Sequence, residues 1–527
     1  MKKVLLGVFA IVVAVAAYML YSLGLFTQEE NVREAKNAPA VKPFKKAALD
    51  FTHRAKGANF PFIGAAIIDI DGDGIMEAFV SGTQDQANSL FRYQNGTLVD
   101  VAPQADLNGI EASYGATSID IDNDGDVDLL VAQASGVWLY TNSDGVFSGK
   151  NLNVQLPSDT VPLAITTADL NHDGFPELYI SNFVAPSKFV ASTFNSVEHA
   201  KKNILLLNNG DSTFTDITEK AGVAASQNTF HSAFVDLDND GRLDLVVANN
   251  TGHVEIFRQG DAMKFEKNSF TSGLGYWMGL GIGDIDKDGD QDLYLSNIGA
   301  TIPADLTRGD MTDDQQVELE WLLLRNDGNM NFTNATADYS LTEYGFGWGG
   351  VFEDINLDGE LDLLVAQNYV KWPKHKASKL PGKAFVQLSQ NGKKGFYHLD
   401  SLGLNNSEYG QTTLIADLNN DGKPDVIWVN MIGASHALIN ESDNNFLKVV
   451  IPDSAEYLGA RAVLELANGQ SYTRQVAPST GFASDQSPNL FFGLGSVDAI
   501  SSLKVTLSDG SVKTIQAPDI NSTVSLN

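Results

Sequence analysis

The chain contains no cysteine among its 527 residues. Disulfides, thiol catalysis and a cysteine-linked lipid anchor are excluded, so a fold held together outside the cell needs another cross-link. Positive charge is scarce: 35 Lys and Arg face 66 Asp and Glu, for a net charge of −31. Nucleic acid or an anionic lipid is a poor main partner for such a chain, because phosphates are repelled at long range. Histidine is limited to eight scattered residues, and neither a nucleophile elbow nor a phosphate loop is present. Catalysis therefore has little sequence support. Long acidic blocks are missing too: the acids alternate with apolar runs, and 43 % hydrophobic residues suffice for a packed core.

What the chain does have is a repeat. A nine-residue pattern of acid, x, Asp/Asn, x, Asp, Gly, x, x, Asp/Glu begins at Asp69, Asp120, Asp169, Asp236, Asp284, Asp354 and Asp417. The shortest spacings are about 50 residues, and the longer ones mark insertions. Each copy has an apolar run on either side, often with a Gly five residues ahead of the first Asp: Gly64, Gly115, Gly279 and Gly349. A third run such as Leu205-Leu206-Leu207 leads into an Asn-x-Gly turn, and a fourth such as Phe214-Thr215-Asp216-Ile217 follows. Four short strands per repeat of this length are the pattern of a propeller blade. The seventh copy ends near Asn440 without its fourth strand, and a look-alike, Leu49-Asp50-Phe51-Thr52, precedes the first copy. Pairing the two closes the ring and removes its open edges. The expected fold is therefore all-β: a seven-bladed β-propeller over residues 47–441, with a small β-sandwich-like domain over 446–527 and an N-terminal transmembrane helix.

That helix is read from Lys2 and Lys3, followed by an uncharged stretch from Val4 to Phe26 and then Glu29 and Glu30. As a helix, 23 residues span about 34 Å, enough for a hydrocarbon core of about 30 Å. The flanking charges leave the N-terminus cytoplasmic and the rest exported. Residues 1–26 are thus an anchor or signal segment, and 27–46 a polar linker with Pro39 and Pro43. A cleaved signal peptide is the rival reading, since Ala14-Val15-Ala16 has the small-x-small pattern, and it makes the protein secreted.

The nine-residue pattern itself points to metal. Oxygen ligands at alternate positions, a Gly for the sharp turn and a distal carboxylate form a cage for a hard cation. The expected ligands are Asp69, Asp71, Asp73, Glu77 and the carbonyl of Ile75 in the first loop. The second has Asp120, Asp122, Asp124 and Asp128, with Asp126 beside them; the third has Asp169, Asn171, Asp173 and Glu177. Asp236, Asp238, Asp240 and Asp244 form the fourth, and Asp284, Asp286, Asp288 and Asp292 the fifth. The sixth holds Asp354, Asn356, Asp358 and Asp362, the seventh Asp417, Asn419, Asp421 and Asp425. An all-oxygen, ligand-rich cage favours calcium over zinc, copper or magnesium. Four carboxylates packed together repel unless a cation sits among them. Up to seven structural calcium ions are expected, in the role disulfides would otherwise fill.

These residues resemble the FG-GAP/VCBS repeat family, which includes the integrin α-subunit propeller. Phe62-Ile63-Gly64-Ala65, Tyr114-Gly115-Ala116 and Phe346-Gly347-Trp348-Gly349-Gly350 stand at the family's name-giving segment. The tail is similar to the ASPIC/UnbV domain at Gly459-Ala460-Arg461, Gly481-Phe482-Ala483-Ser484, Phe491-Phe492-Gly493-Leu494-Gly495 and Ser508-Asp509-Gly510. It departs at Leu507-Ser508-Asp509-Gly510, where the family usually has Trp-Pro-Asp-Gly. Propeller plus tail resembles the cartilage acidic protein family, which implies a calcium-binding extracellular protein and no settled activity.

If the acidic loops join strands one and two at one end, the connections between strands two and three lie at the other. Three insertions fall there, at 183–202, 298–320 and 368–384. Long loops on a rigid scaffold are where binding usually resides. The third carries Lys371, Trp372, Lys374, His375 and Lys376, with Lys379 and Lys383, as a candidate contact for an acidic glycan or protein; a solvated loop is the plainer reading. The leading expectation is an exported binding or adhesion module for a protein or polysaccharide ligand. A lyase-like polysaccharide enzyme using His199 or His375 is one alternative, and a scaffold docking through the tail is another. The oligomeric state is open.

Overall fold

The computed structural model describes residues 30–36, 38–54, 59–224, 226–302, 307–368 and 380–526. The expected transmembrane helix at 1–26 lies outside them, as do Lys371, Trp372, Lys374, His375 and Lys376. Among the described residues no helix is long and apolar enough to cross a membrane.

The fold is all-β and propeller-like, with one α-helical turn, Thr218–Ala221, among the described residues. Four-stranded antiparallel units follow one another along the chain. The first strands of successive units are Ala65–Ile68, Ser113–Ile119, Thr160–Ala168, Asn228–Val235, Leu280–Gly283, Gly347–Glu353 and Tyr409–Ala416. Each touches the next, and the last touches the first, so these strands form a closed series about an axis.

They are buried almost throughout, which is why they lack an in-out alternation. The glycines five residues ahead of the acidic loops mark where neighbours crowd. A Cβ on Gly115 would stand 2.3 Å from the carbonyl oxygen of Leu163, and one on Gly279 2.4 Å from that of Trp348. Leu, Ile and Val from adjoining units fill the spaces between sheets, as in the cluster of Ile119, Leu130, Ile165, Leu178 and Ile180.

The last unit is completed by the N-terminal side of the chain. Lys45–Leu49 pairs antiparallel with His436–Ile439, joining Lys45 to Ile439. This strand lies a few residues ahead of the 49–52 segment expected from sequence. Phe51 is instead a buried core residue, and Thr52–Arg54 pairs with the extended end of Asp425–Ala434. The earlier strand wins because Ala47 is buried in the same cluster as Ala437 and Ile439 while its neighbours stay exposed.

The tail is a two-sheet sandwich. Asn445–Val450 lies between Leu490–Gly495 and Ser522–Ser525, and Arg461–Leu466 between Ser471–Gln475 and Ile500–Thr506, with Val512–Gln516 outside. Leu447, Val449, Leu464, Phe492, Leu503 and Val505 form its shared core.

Candidate metal centres

Each acidic loop joins the first and second strands of a unit, and all seven share one hydrogen-bonded frame. The first Asp accepts from the amide of the Gly five residues on, from Gly74 to Asp69 at 2.9 Å through Gly422 to Asp417 at 2.8 Å. The fifth residue accepts from the amide two residues later, as Asp240 does from Arg242 at 2.9 Å. In six of the loops the distal carboxylate also reaches back to the amide of the second residue, as Leu237 to Asp244 at 3.0 Å and Ile285 to Asp292 at 2.8 Å; in the sixth loop the Ile355 amide bonds the Glu353 carbonyl instead. The fourth residue is left-handed in every loop, including Lys287 (φ 65°) and Leu357 (φ 61°), and the Gly that follows two residues later is also at positive φ. Such conformations are costly for Leu and Lys, and the closed loop holds them there.

This frame turns the remaining carboxylate oxygens inward. Oxygens of Asp69, Asp71 and Asp73 lie within 4.8 Å of one another. So do those of Asp120, Asp122 and Asp128, of Asp236, Asp238 and Asp244, and of Asp284, Asp286 and Asp292. Buried oxygens of Asp69, Asp122, Glu177, Asp286 and Asp362 have no hydrogen-bond partner. Orphaned, converging oxygens fit a cation, since buried acceptors otherwise find donors. In the loops with Asn at the third position, the amide bonds the next acid instead, Asn171 to Asp173 at 2.8 Å and Asn356 to Asp358 at 3.1 Å, and no carboxylate trio is as close.

Burial raises the distal carboxyls most. It pushes Asp128 to about 7 and Glu177, Asp244 and Asp292 to about 8, with neighbouring carboxylates adding to the effect. Asp362 and Asp425 are raised well above the usual range for the same reasons. A bound divalent cation reverses that balance by favouring the ionised form. These clusters could therefore hold metal ions.

Protein cations also enter the loops: Arg258 pairs with Asp238 at 2.5 Å and with Asp240 at 3.4 Å, and two more come from other strands, all missed by sequence inspection. Arg92, on the third strand of the first unit, bonds Glu77, which still accepts from the Ile70 amide at 3.2 Å, and reaches Asp71 at 2.8 Å. Lys448, from the tail, meets Asp417 at 2.7 Å, with both side chains buried. Neither has a local signal, because the partners are distant in fold or sequence. A set of strand-three amides was missed as well. Asn142, Asn208, Gln259, Asn326 and Asn440 each donate to the second loop residue of the preceding or neighbouring unit, as Asn326 does to the Leu237 carbonyl at 2.7 Å.

The sequence of these loops and the tail matches known families. The FG-GAP-like repeat family matches residues 69–131, 120–180, 189–247 and 236–295, and the ASPIC and UnbV family matches residues 453–527. The chain carries FG-GAP-like repeats and an ASPIC and UnbV domain. Relatives named Cartilage acidic protein 1 are 22 % identical over 446 residues in mouse and 22 % over 420 residues in human. These alignments cover 80 % and 76 % of this chain but 62 % and 57 % of the relatives, so the chain spans about three fifths of their length. Among solved structures, YCF48 from Cyanidioschyzon merolae is similar at TM-score 0.42 and 12 % identity, over 76 % of this chain and 100 % of that one.

The ASPIC and UnbV domain sits on the end formed by the FG-GAP loops. Besides Lys448, the Gly493 amide donates to Asp354 at 3.1 Å, Arg461 donates to the Gly289 carbonyl at 3.2 Å, and the Asp120 amide donates to the Asp453 carbonyl at 3.1 Å. From this domain, residues 478–486 enter the axis. Phe482 is fully buried against Phe62, Phe230 and Trp348. Leu280 and Gly481 exchange backbone hydrogen bonds, and Ser484–Asp485 pairs with the inner strand Ala65–Ile68. His231 donates to the Ser479 carbonyl and accepts from the Ala483 amide, and full burial lowers its pKa to about 4, so it is a neutral clasp.

At the opposite end two of the three insertions are latched together. Asp310 accepts from the amides of Phe194 at 2.6 Å and Asn195 at 3.1 Å, and the Asn195 and Gln315 side chains exchange hydrogen bonds. His199 accepts from the Val190 amide at 2.9 Å, so that nitrogen is engaged in the loop itself. His172, in the third FG-GAP loop, lies 3.4 Å from Ser508 of the tail. Lys383, grouped by sequence with the basic insertion, is instead a buried strand residue paired with Glu30 at 2.6 Å.

Proposed function

We propose that the chain is an exported, calcium-stabilised, seven-bladed propeller that acts as an extracellular interaction module. The observation that carries this reading is the backbone frame common to the seven acidic loops, five of which hold a buried carboxylate oxygen with no hydrogen-bond partner. Calcium suits them because every donor is oxygen and the loop supplies more ligands than magnesium usually takes from protein. The ions would be held by the loop carboxylates named above and would offset the repulsion among them. They act structurally, because a filled cage leaves little room for substrate.

The two ends then divide the work. The loop end holds the ASPIC and UnbV domain, whose Phe482 segment fills the axis, so small-molecule access from that side is blocked. The insertion end, with residues 183–202, 298–320 and 368–384, remains as the contact surface. The segment at 4–26 holds the chain at a membrane, or is removed on secretion. His199, one of the two histidines of the lyase alternative, is engaged within its own loop.

The test is a metal count by mass spectrometry after dialysis against calcium, paired with photo-crosslinking from Val190 and from Asn468 on intact cells. Bound calcium with calcium-dependent crosslinks from Val190 supports the reading. Calcium-free protein overturns the metal assignment, and crosslinks from Asn468 alone move the contact surface to the tail.

A further inference from the structure

The N-terminal side of the chain enters the fold at one tightly held point. The Glu30 carboxylate is 5 % exposed and pairs with Lys383, itself 4 % exposed, at 2.6 Å. It also accepts from the Gly345 amide at 2.9 Å and from Gln367 at 2.5 Å. The next residues are tied as well: the Asn31 amide donates to the Glu343 carbonyl and the Ala35 amide to the His398 carbonyl, while the His398 amide, on the sixth unit's edge strand, donates to the Arg33 carbonyl. Residues 30–36, part of the expected linker, therefore lie along the sixth unit. A buried ion pair with further hydrogen bonds on the same carboxylate resists separation, because either partner alone is an uncompensated buried charge.

This clamp lies at the insertion end. Strand Asp362–Gln367 finishes there and Lys383–Gln390 starts there, on either side of the third insertion. The apolar stretch Val4 to Phe26 stops four residues before Glu30. Four residues reach at most about 14 Å. Whatever layer that stretch occupies, the insertion end is within about 14 Å of its surface.

A second observation is independent of the clamp. Four of the seven large apolar side chains left in solvent among the described residues are at the same end: Ile110 is 60 % exposed, Val190 61 % and Val197 87 %, with Phe189 at 39 %, while Val99, Val146 and Val512 lie on strands elsewhere. Ile110 lies on the connection between the first two units, and the others lie on the first insertion. The acidic loops are at the other end, beneath the tail, although the insertions also carry carboxylates, among them Glu198, Asp310, Asp313 and Asp314.

We infer that the insertion end rests on the lipid bilayer that holds the N-terminal segment, with Val190, Val197, Phe189 and Ile110 entering the headgroup layer. This names the partner of the contact surface proposed above, and it rests on the reading of residues 4–26 as a membrane anchor. A short anchor and an apolar surface act as two signals, where either alone binds weakly or leaves orientation free. The acidic loop end points into solvent, away from the negative surface of an anionic leaflet.

The cysteine-free chain allows a direct test. Single cysteines at Val190, Val197, Asp211 and Asn468 are labelled with an environment-sensitive dye in the full chain, which is reconstituted in nanodiscs containing headgroup-spin-labelled lipid. Dye at positions 190 and 197 is expected to be quenched severalfold more than dye at 211 and 468. Retention on the nanodisc with equal quenching at all four positions leaves the anchor standing and overturns the orientation. A purified chain whose intact mass lacks the first residues, or that washes off the disc, overturns the anchor reading and the orientation with it.

Discussion

Replacing Phe482 with alanine removes the ring that fills the axis. That side chain is fully buried, and its centroid lies 5.2 Å from Phe62, 5.2 Å from Phe230 and 5.4 Å from Trp348. Truncating a buried Phe costs about 3–5 kcal/mol, as lost transfer energy plus the cavity left behind. Each edge-to-face contact accounts for about 0.5–1.5 kcal/mol of such losses. The upper half of the range is expected, because the inner strands already touch through glycine and cannot close on the vacated space. The assay is urea unfolding in calcium, read as a lower midpoint at unchanged slope. Val512→Ala, on an exposed tail strand, is the control and is expected to change stability by about 0.5 kcal/mol or less. A Phe482→Ala loss below about 1 kcal/mol would show that the ring does not pack in the axis and that the tail is not keyed into the propeller there.

Lys448→Met strips the buried Asp417 of its protein cation. In EDTA this is expected to cost about 3–5 kcal/mol, and markedly less in calcium, which can compensate the same carboxylate; equal losses in both conditions would contradict a metal at the seventh loop. Asp292→Asn removes the distal ligand of the fifth loop and is expected to lower the bound calcium count by one, measured by mass spectrometry, with secondary structure retained. The pH response follows from the raised carboxyls. Burial holds Glu177, Asp244 and Asp292 at about 8 in the metal-free fold, against ordinary values of 4.5 for Glu and 3.8 for Asp. Between those limits the folded state binds more protons than the unfolded one, so metal-free stability is greatest below the ordinary values and falls as pH rises towards 8. In EDTA the melting temperature should be higher at pH 5.5 than at pH 8, and calcium should flatten or reverse that order, since binding displaces the protons. Equal values at both pH values in EDTA would refute the burial of these carboxyls.

Local patterns survived the passage from sequence to structure, and distant pairings did not. The FG-GAP loops were legible because their chemistry is contiguous: the acids, the Gly and the distal carboxylate lie within nine residues, and the backbone frame that joins them is local. The glycines ahead of the loops were visible as a repeat, but the reason for them, contact between neighbouring inner strands, needs the closed ring. The closing strand was placed a few residues late because Leu49-Asp50-Phe51-Thr52 and Lys45–Leu49 are both short and β-prone; the burial of Ala47 beside Ala437 decides between them. Lys383 looked like one more surface lysine until Glu30 came to lie beside it. Arg92 and Lys448 carry no sign in sequence that they reach into acidic loops, because their partners are set by sheet register and by domain docking. The Gly481-Phe482-Ala483-Ser484 stretch was visible as a tail motif, and only its seat among Phe62, Phe230 and Trp348 explains why a large aromatic stands between small residues.

The central claim is that divalent cations in the acidic loops hold this cysteine-free fold together. Thermal unfolding of the full chain in EDTA, in millimolar magnesium and in millimolar calcium tests it most directly. Each independent site at a hundredfold excess over its dissociation constant adds about 2.7 kcal/mol to the native state. The account predicts a large rise in melting temperature with calcium and little or none with magnesium. Superimposable melting curves in all three conditions would contradict it and would remove the metal assignment from every loop.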